Sequence, residues 1–137
     1  MLRIETKSRA RALQLLYAWE LRGHAPLTQL ATGLSRLTGP EPWVLDRAEA
    51  LASGVVEAVE SLDGEAARAS ENWRLSRMAV VERNILRLGI LELRRGEVPP
   101  KVAIDEAVRL AHWFGGSRAP GFVNGVLDGI AHALGRL

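Results

Sequence analysis

At about 100° of rotation per residue, Arg3, Lys7, Arg11, Gln14, Ala18 and Arg22 fall on one narrow stripe of a helical N-terminal segment. Ala12, Leu13, Leu16 and Trp19 occupy the opposite face, and Tyr17 flanks the stripe. A cationic ridge with an apolar back suits docking on a phosphate backbone, because each phosphate neutralised releases counterions condensed on the nucleic acid. Any amphipathic helix also shows charge to water, so a merely solvated face stays open as the alternative. A second set, Arg83, Arg87 and Arg94, has similar spacing, but Glu82, Glu92 and Glu97 lie beside it in sequence. Local ion pairing accounts for that face equally well.

Bond-making chemistry finds no comparable constellation. The chain has no Cys, which removes thiol nucleophiles, disulfides and thiolate metal sites together. His24, His112 and His132 are scattered and lack the spacing of a zinc-binding helix. No glycine-rich loop cradles a phosphate and no serine sits in a nucleophile motif. Asp105 and Glu106 are adjacent, so on a helix they diverge by about 100° and cannot flank one substrate bond. The expectation is a non-enzymatic protein with no catalytic residue, no metal and no cofactor.

The elements that must position the ridge are helical throughout. At 137 residues with 47% apolar and 25% charged side chains, the chain is long and apolar enough for a core of its own. The N-terminus is charged where a secretory signal needs an apolar run, and no stretch approaches the roughly 20 apolar residues of a membrane span. A soluble, cytoplasmic protein with no membrane partner is expected. All but two of the 18 basic residues are Arg, and the pI is about 9.7, which permits nucleic-acid binding without requiring it.

Punctuation by Gly and Pro divides the chain into seven helices, with no segment showing the period of two that strands need. The first runs from about Thr6 to Arg22 and stops at Gly23; the second follows Pro26 and stops at Gly39-Pro40. The third begins near Trp43 and carries Leu45, Ala48, Ala52, Val55, Val56, Val59 and Leu62 before Asp63-Gly64. A fourth spans about Glu65 to Trp73, and a fifth, capped by Ser76, runs to Gly96 ahead of Pro99-Pro100. The sixth covers roughly Val102 to Phe114, and the seventh opens near Ser117 or Pro120 and ends about Leu134. The fold class expected is all-α: a compact bundle in one domain, 1–137, with helical subdomains of about 1–63 and 64–137. On the last helix Gly121, Gly125 and Gly129 recur every four residues, which predicts close packing by another helix of the bundle.

Several segments together resemble one family. Ser8-Arg-Ala-Arg-Ala-Leu-Gln-Leu-Leu-Tyr-Ala-Trp-Glu-Leu21 is similar to the first helix of the transcription antitermination factor NusB family. Trp73-Arg-Leu-Ser-Arg-Met78, Val81-Glu-Arg-Asn-Ile-Leu-Arg-Leu88 and Glu92-Leu93 match its middle. Pro100-Lys-Val-Ala-Ile-Asp-Glu-Ala-Val-Arg-Leu-Ala111, Phe114-Gly115 and Phe122-Val-Asn-Gly-Val-Leu-Asp128 reproduce its most recognisable runs, in order. The likeness spans essentially the whole chain, with residues from about Ala25 to Ala50 matching in helical character only.

The resemblance implies two small helical subdomains that bind the boxA element of ribosomal-operon leader RNA as single strand. It implies ribosomal protein NusE as co-binder and the RNA polymerase elongation complex as the final partner, with binding rather than catalysis as the mechanism. Its arginine-rich start maps onto Lys7 and Arg9, and the aromatic of its Phe-Val-Asn-Gly run onto Phe122. With the ridge this makes Arg3, Lys7, Arg9, Arg11 and Phe122 the candidate RNA-binding residues. Glu5 and Thr6 stand where many relatives stay basic, and Arg118 where an acidic residue is common. Two other readings are a helical protein-binding adaptor without RNA affinity and the NusB-like domain of a ribosomal-RNA methyltransferase. The latter would add an α/β domain with a cofactor-binding glycine loop, absent from this sequence. Monomer and homodimer are both compatible with the four tryptophans and many leucines.

Overall fold

The computed structural model describes residues 3–39, 41–70 and 78–137. Among these every regular element is a helix: α1 (Ile4–Leu21), α2 (Leu27–Thr38), α3 (Pro42–Glu57), α4 (Val59–Ala69), α5 (Val80–Arg95), α6 (Pro100–Phe114) and α7 (Ala119–Ala133). They form two compact units, Met1–Glu57 and Ala58–Leu137.

In the first unit α1 is the central helix, packed against both α2 and α3. Thr6, Ser8, Arg9, Ala10, Ala12, Leu13, Leu15, Leu16 and Trp19 are all buried, so most of its circumference is covered. Its partner α3 buries Val44, Ala48, Ala52 and Val55 at helical spacing. The end of α1 is fixed by two consecutive left-handed residues, Gly23 (φ +62°) and His24 (φ +66°). The His24 N–H donates to the Trp19 carbonyl at 2.8 Å, closing the helix end in the manner of a Schellman motif. His24 tolerates this backbone in a setting where its ring stacks on Trp19, centroids 3.9 Å apart and planes 10° from parallel.

In the second unit α5 takes the central place, with α4, α6 and α7 packed around it. Every residue from Asn84 to Leu91 is buried, two of them polar. The Arg87 guanidinium grips Asp63 of α4 in bidentate fashion, Nε to Oδ1 at 2.7 Å and Nη2 to Oδ2 at 2.8 Å. Its Nη1 donates to Asn84 Oδ1 at 3.0 Å, and Asn84 Nδ2 donates to the Val80 carbonyl, so the buried polar cluster is satisfied. Arg94 extends the seam, donating to Glu65 Oε1 at 2.7 Å and to Ser61 Oγ at 2.7 Å. Arg87 and Arg94 thus pair across to another helix, which the acidic neighbours in sequence did not suggest, while Arg83 donates to the Met78 carbonyl just before α5.

The division of the chain into units also falls earlier than expected. The third helix was expected to run on through Leu62 to a break at Asp63-Gly64; it ends at Glu57, and Asp63-Gly64 lie inside α4. Ala58 alone leaves the helical conformation (φ −113°, ψ 16°). Val55 and Leu62, seven residues apart and both fully buried, keep one apolar phase across that interruption, so periodicity could not reveal it. Gly64 costs the helix about 1 kcal/mol against Ala, next to the Asp63–Arg87 pair that ties α4 to α5. Elsewhere α1 starts two residues earlier than expected and α6 opens on Pro100, a residue suited to a first helical turn. Ser76 and Trp73, expected as a cap and a helix end, lie outside the described residues.

The glycine stripe of α7 does not pack. Among the described residues nothing lies within 4 Å of where a Cβ would stand at Gly121, Gly125 or Gly129, and all three are exposed. Val123, Val126, Leu127, Ile130 and Ala131 form the buried face instead, because large apolar side chains gain far more from burial than a bare backbone does. Close approach occurs at Gly89 of α5, where an added Cβ would come within 2.6 Å of Leu127 Cδ1. Gly89→Leu should therefore lower unfolding free energy by about 1–3 kcal/mol through overpacking. Gly125→Leu should raise it by up to about 1 kcal/mol through helix propensity. Chemical denaturation of the two variants checks this; destabilisation by Gly125→Leu would restore the packing role of the stripe.

Candidate nucleic-acid interface

Most of the circumference of α1 is covered, and the stripe of basic residues belongs to what remains open, with Ile4, Glu5, Tyr17 and Leu21 also exposed. Arg3 and Arg22 are exposed at its two ends, and Gln14 and Ala18 are half-buried between. The side chains of Lys7 and Arg11, one turn apart, are 40% and 25% exposed. They are not bare. Glu41, immediately before α3, places Oε2 3.4 Å from Lys7 Nζ and Oε1 3.9 Å from Arg11 Nη2. Arg11 Nη1 also donates to Gln14 Oε1 at 3.0 Å. Such half-exposed pairs contribute only about 0–1 kcal/mol, so they organise the ridge without locking it.

The other expected site residues fall elsewhere. Arg9 lies on the far side of α1 from Lys7, is 7% exposed and is engaged by the protein itself. It is not on the ridge, as the helical geometry requires for a residue about 160° away from Lys7. Phe122 stands in the first turn of α7, half-buried, in the second unit. Tyr17 is exposed beside the ridge.

One patch escaped the sequence reading. On α6, Trp113 (44% exposed) and Phe114 stand exposed with ring centroids 6.3 Å apart, edge to face. The Arg109 guanidinium lies 5.9 Å from the Trp113 ring centroid, and Arg109 also faces Glu106 at 3.7 Å. Exposed aromatics beside guanidinium groups are the equipment with which single-stranded RNA is stacked. The signal was present: Val102, Glu106, Arg109 and Trp113 recur at helical spacing away from the buried Ala103, Ala107 and Leu110. Among the described residues no group of three or more His, Asp or Glu could hold a metal ion. No helix there is long and apolar enough to cross a membrane.

With this geometry in place, comparison with known proteins is decisive. The model of the NusB family matches residues 6–132. The chain belongs to the NusB family. It is 46% identical over 130 residues to the transcription antitermination protein NusB of Sorangium cellulosum, covering 94% of this chain and 92% of that one. The NusB of Myxococcus xanthus is 40% identical over 93% of this chain and 94% of its own. Among solved structures, the fold superposes on antitermination factor NusB crystallised with NusE and double-stranded RNA, TM-score 0.85, 29% identity, covering 97% and 99% of the two chains. T. maritima NusB superposes with TM-score 0.78 at 32% identity over 92% and 90%. In this chain the α1 of that fold carries a basic stripe on its open side.

The two cations that the family pattern names, of which helix geometry puts only Lys7 on the ridge, should separate in a stability measurement. Arg9→Ala removes a buried stem and a charged hydrogen-bonding group, and should lower unfolding free energy by about 1–3 kcal/mol. Lys7→Ala should stay within about 0.5 kcal/mol of the parent. Equal, small effects in urea denaturation would show that Arg9 is not part of the core of its unit.

Proposed function

We propose that this chain is a cytoplasmic, non-enzymatic transcription antitermination factor. It binds boxA single-stranded RNA of ribosomal-operon leaders together with ribosomal protein NusE and supports processive elongation by RNA polymerase. The observation that carries this reading is the near full-length match to a NusB captured with NusE and RNA, joined to relatives named for antitermination. Arg3, Lys7 and Arg11 are the proposed phosphate contacts, with Phe122 a proposed aromatic contact from the second unit. Arg9 is proposed to act from inside the fold, holding α1 in place. The two units are proposed to serve as one RNA-binding domain.

Phosphate contacts position an RNA, whereas base contacts and stacking select its sequence. A boxA-like single strand should thus bind more tightly than a scrambled one, and more tightly again with NusE present. With about three phosphates neutralised at roughly −0.7 each, the logarithm of affinity should fall with the logarithm of salt with a slope near −2. Fluorescence anisotropy over a salt series checks both. Equal affinity for the two sequences with and without NusE, or a slope of zero, would point to a helical protein adaptor instead.

A further inference from the structure

Glu41 occupies an unusual place for a surface carboxylate. Its two oxygens are divided between two cations of another helix, Oε2 toward Lys7 Nζ and Oε1 toward Arg11 Nη2. Lys7 and Arg11 stand at i and i+4, so their heads converge on one anion from successive turns. Two cations each meeting a different oxygen of one anion is also how the two non-bridging oxygens of a phosphodiester are held. The surroundings favour an anion further. Glu41 directly precedes the N-terminus of α3, a 16-residue helix, and its backbone carbonyl accepts from the Leu45 N–H at 2.9 Å. Gln14 holds the other arm of the Arg11 guanidinium, which keeps that fork aimed.

Glu41 can also leave. Its side chain is 31% exposed, and among the described residues its polar partners are those two cations. Pro42 after it restricts its backbone to extended conformations, so release requires only rotation of the side chain.

We propose that Lys7 and Arg11 form a phosphate subsite that Glu41 fills while RNA is absent, so that an RNA phosphate binds by displacing the Glu41 carboxylate. Glu41 is then a built-in competitor that lowers affinity for any polyanion and leaves more of the discrimination to base contacts. This rests on the RNA-binding reading above, and the test separates the two.

Glu41→Gln keeps shape and removes the competing charge. It should tighten binding of single-stranded boxA RNA about three- to tenfold at one salt concentration, the loss of two weak ion pairs expressed as affinity. Glu57→Gln, which removes an exposed charge at the other end of α3, should change affinity less than twofold. In a Lys7→Ala/Arg11→Ala background the gain from Glu41→Gln should vanish, because coupled residues are not additive. Circular dichroism confirms folding, and Glu41→Ala should behave like Glu41→Gln. Unchanged or weaker RNA binding by folded Glu41→Gln, an equal gain in Glu57→Gln, or a gain that survives loss of both cations would each overturn the proposal. Inorganic tripolyphosphate, titrated while the Arg11 side-chain N–H resonance is followed by NMR, probes the subsite without RNA. A shift enhanced in Glu41→Gln supports the subsite even if boxA RNA does not bind, in which case the RNA reading alone fails. No shift in either protein overturns the subsite.

Discussion

The first unit depends on how completely α1 is enclosed. One helix provides the core of that unit through Leu13, Leu15, Leu16 and Trp19 and also carries its open basic surface. Burial claims most of the circumference, so the surface left for a partner is narrow, and Arg3, Lys7 and Arg11 follow one another on it at a spacing of four residues. That constraint ties recognition to packing. A ridge on a core helix is held as firmly as the core itself, which suits a binding protein whose affinity rests on presenting cations in a fixed register.

Arginine does two kinds of work in this chain, and burial separates them. In the second unit Arg87 is sunk into α5 and spends its fork on Asp63 and Asn84, joining α4 to the central helix. Removing one partner of so buried a pair leaves a charge without compensation, which makes it a structural device. Arg11 carries the same group near the surface of α1, where its pairing is weak and exchangeable. The same residue type at similar helical spacing is cohesive in one unit and available in the other. Exposed Arg109 beside Trp113 belongs with the available kind.

Much of this was legible in the sequence because it rests on periodicity and punctuation. The buried faces of α3 and α7 follow the 3.6-residue spacing of apolar side chains, and Gly23, Gly96 and Pro100 mark helix ends as their backbone preferences require. The ridge itself could be drawn from residue numbers alone. What was not legible has a common physical cause: it depends on which element lies opposite. The break at Ala58 preserves the apolar phase and so leaves no trace in it. Gly121, Gly125 and Gly129 look like a packing seam until the larger residues behind them claim the interior, whereas lone Gly89 has no pattern but a Leu127 against it. Asp63 reads as a turn former until Arg87, 24 residues later, closes on it. Glu41, distant in sequence from Lys7, could not be placed on the ridge by any local rule.

The chain has only two lysines, Lys7 on the ridge and Lys101 exposed on α6, which makes the central claim open to a direct footprint. Acetylation of the folded protein, read by mass spectrometry with and without saturating boxA RNA, reports the exposure of each amine separately. If RNA lies along the open stripe of α1, Lys7 loses most of its reactivity on RNA binding while Lys101 keeps its own. Undiminished modification of Lys7 in RNA-saturated protein would contradict the account.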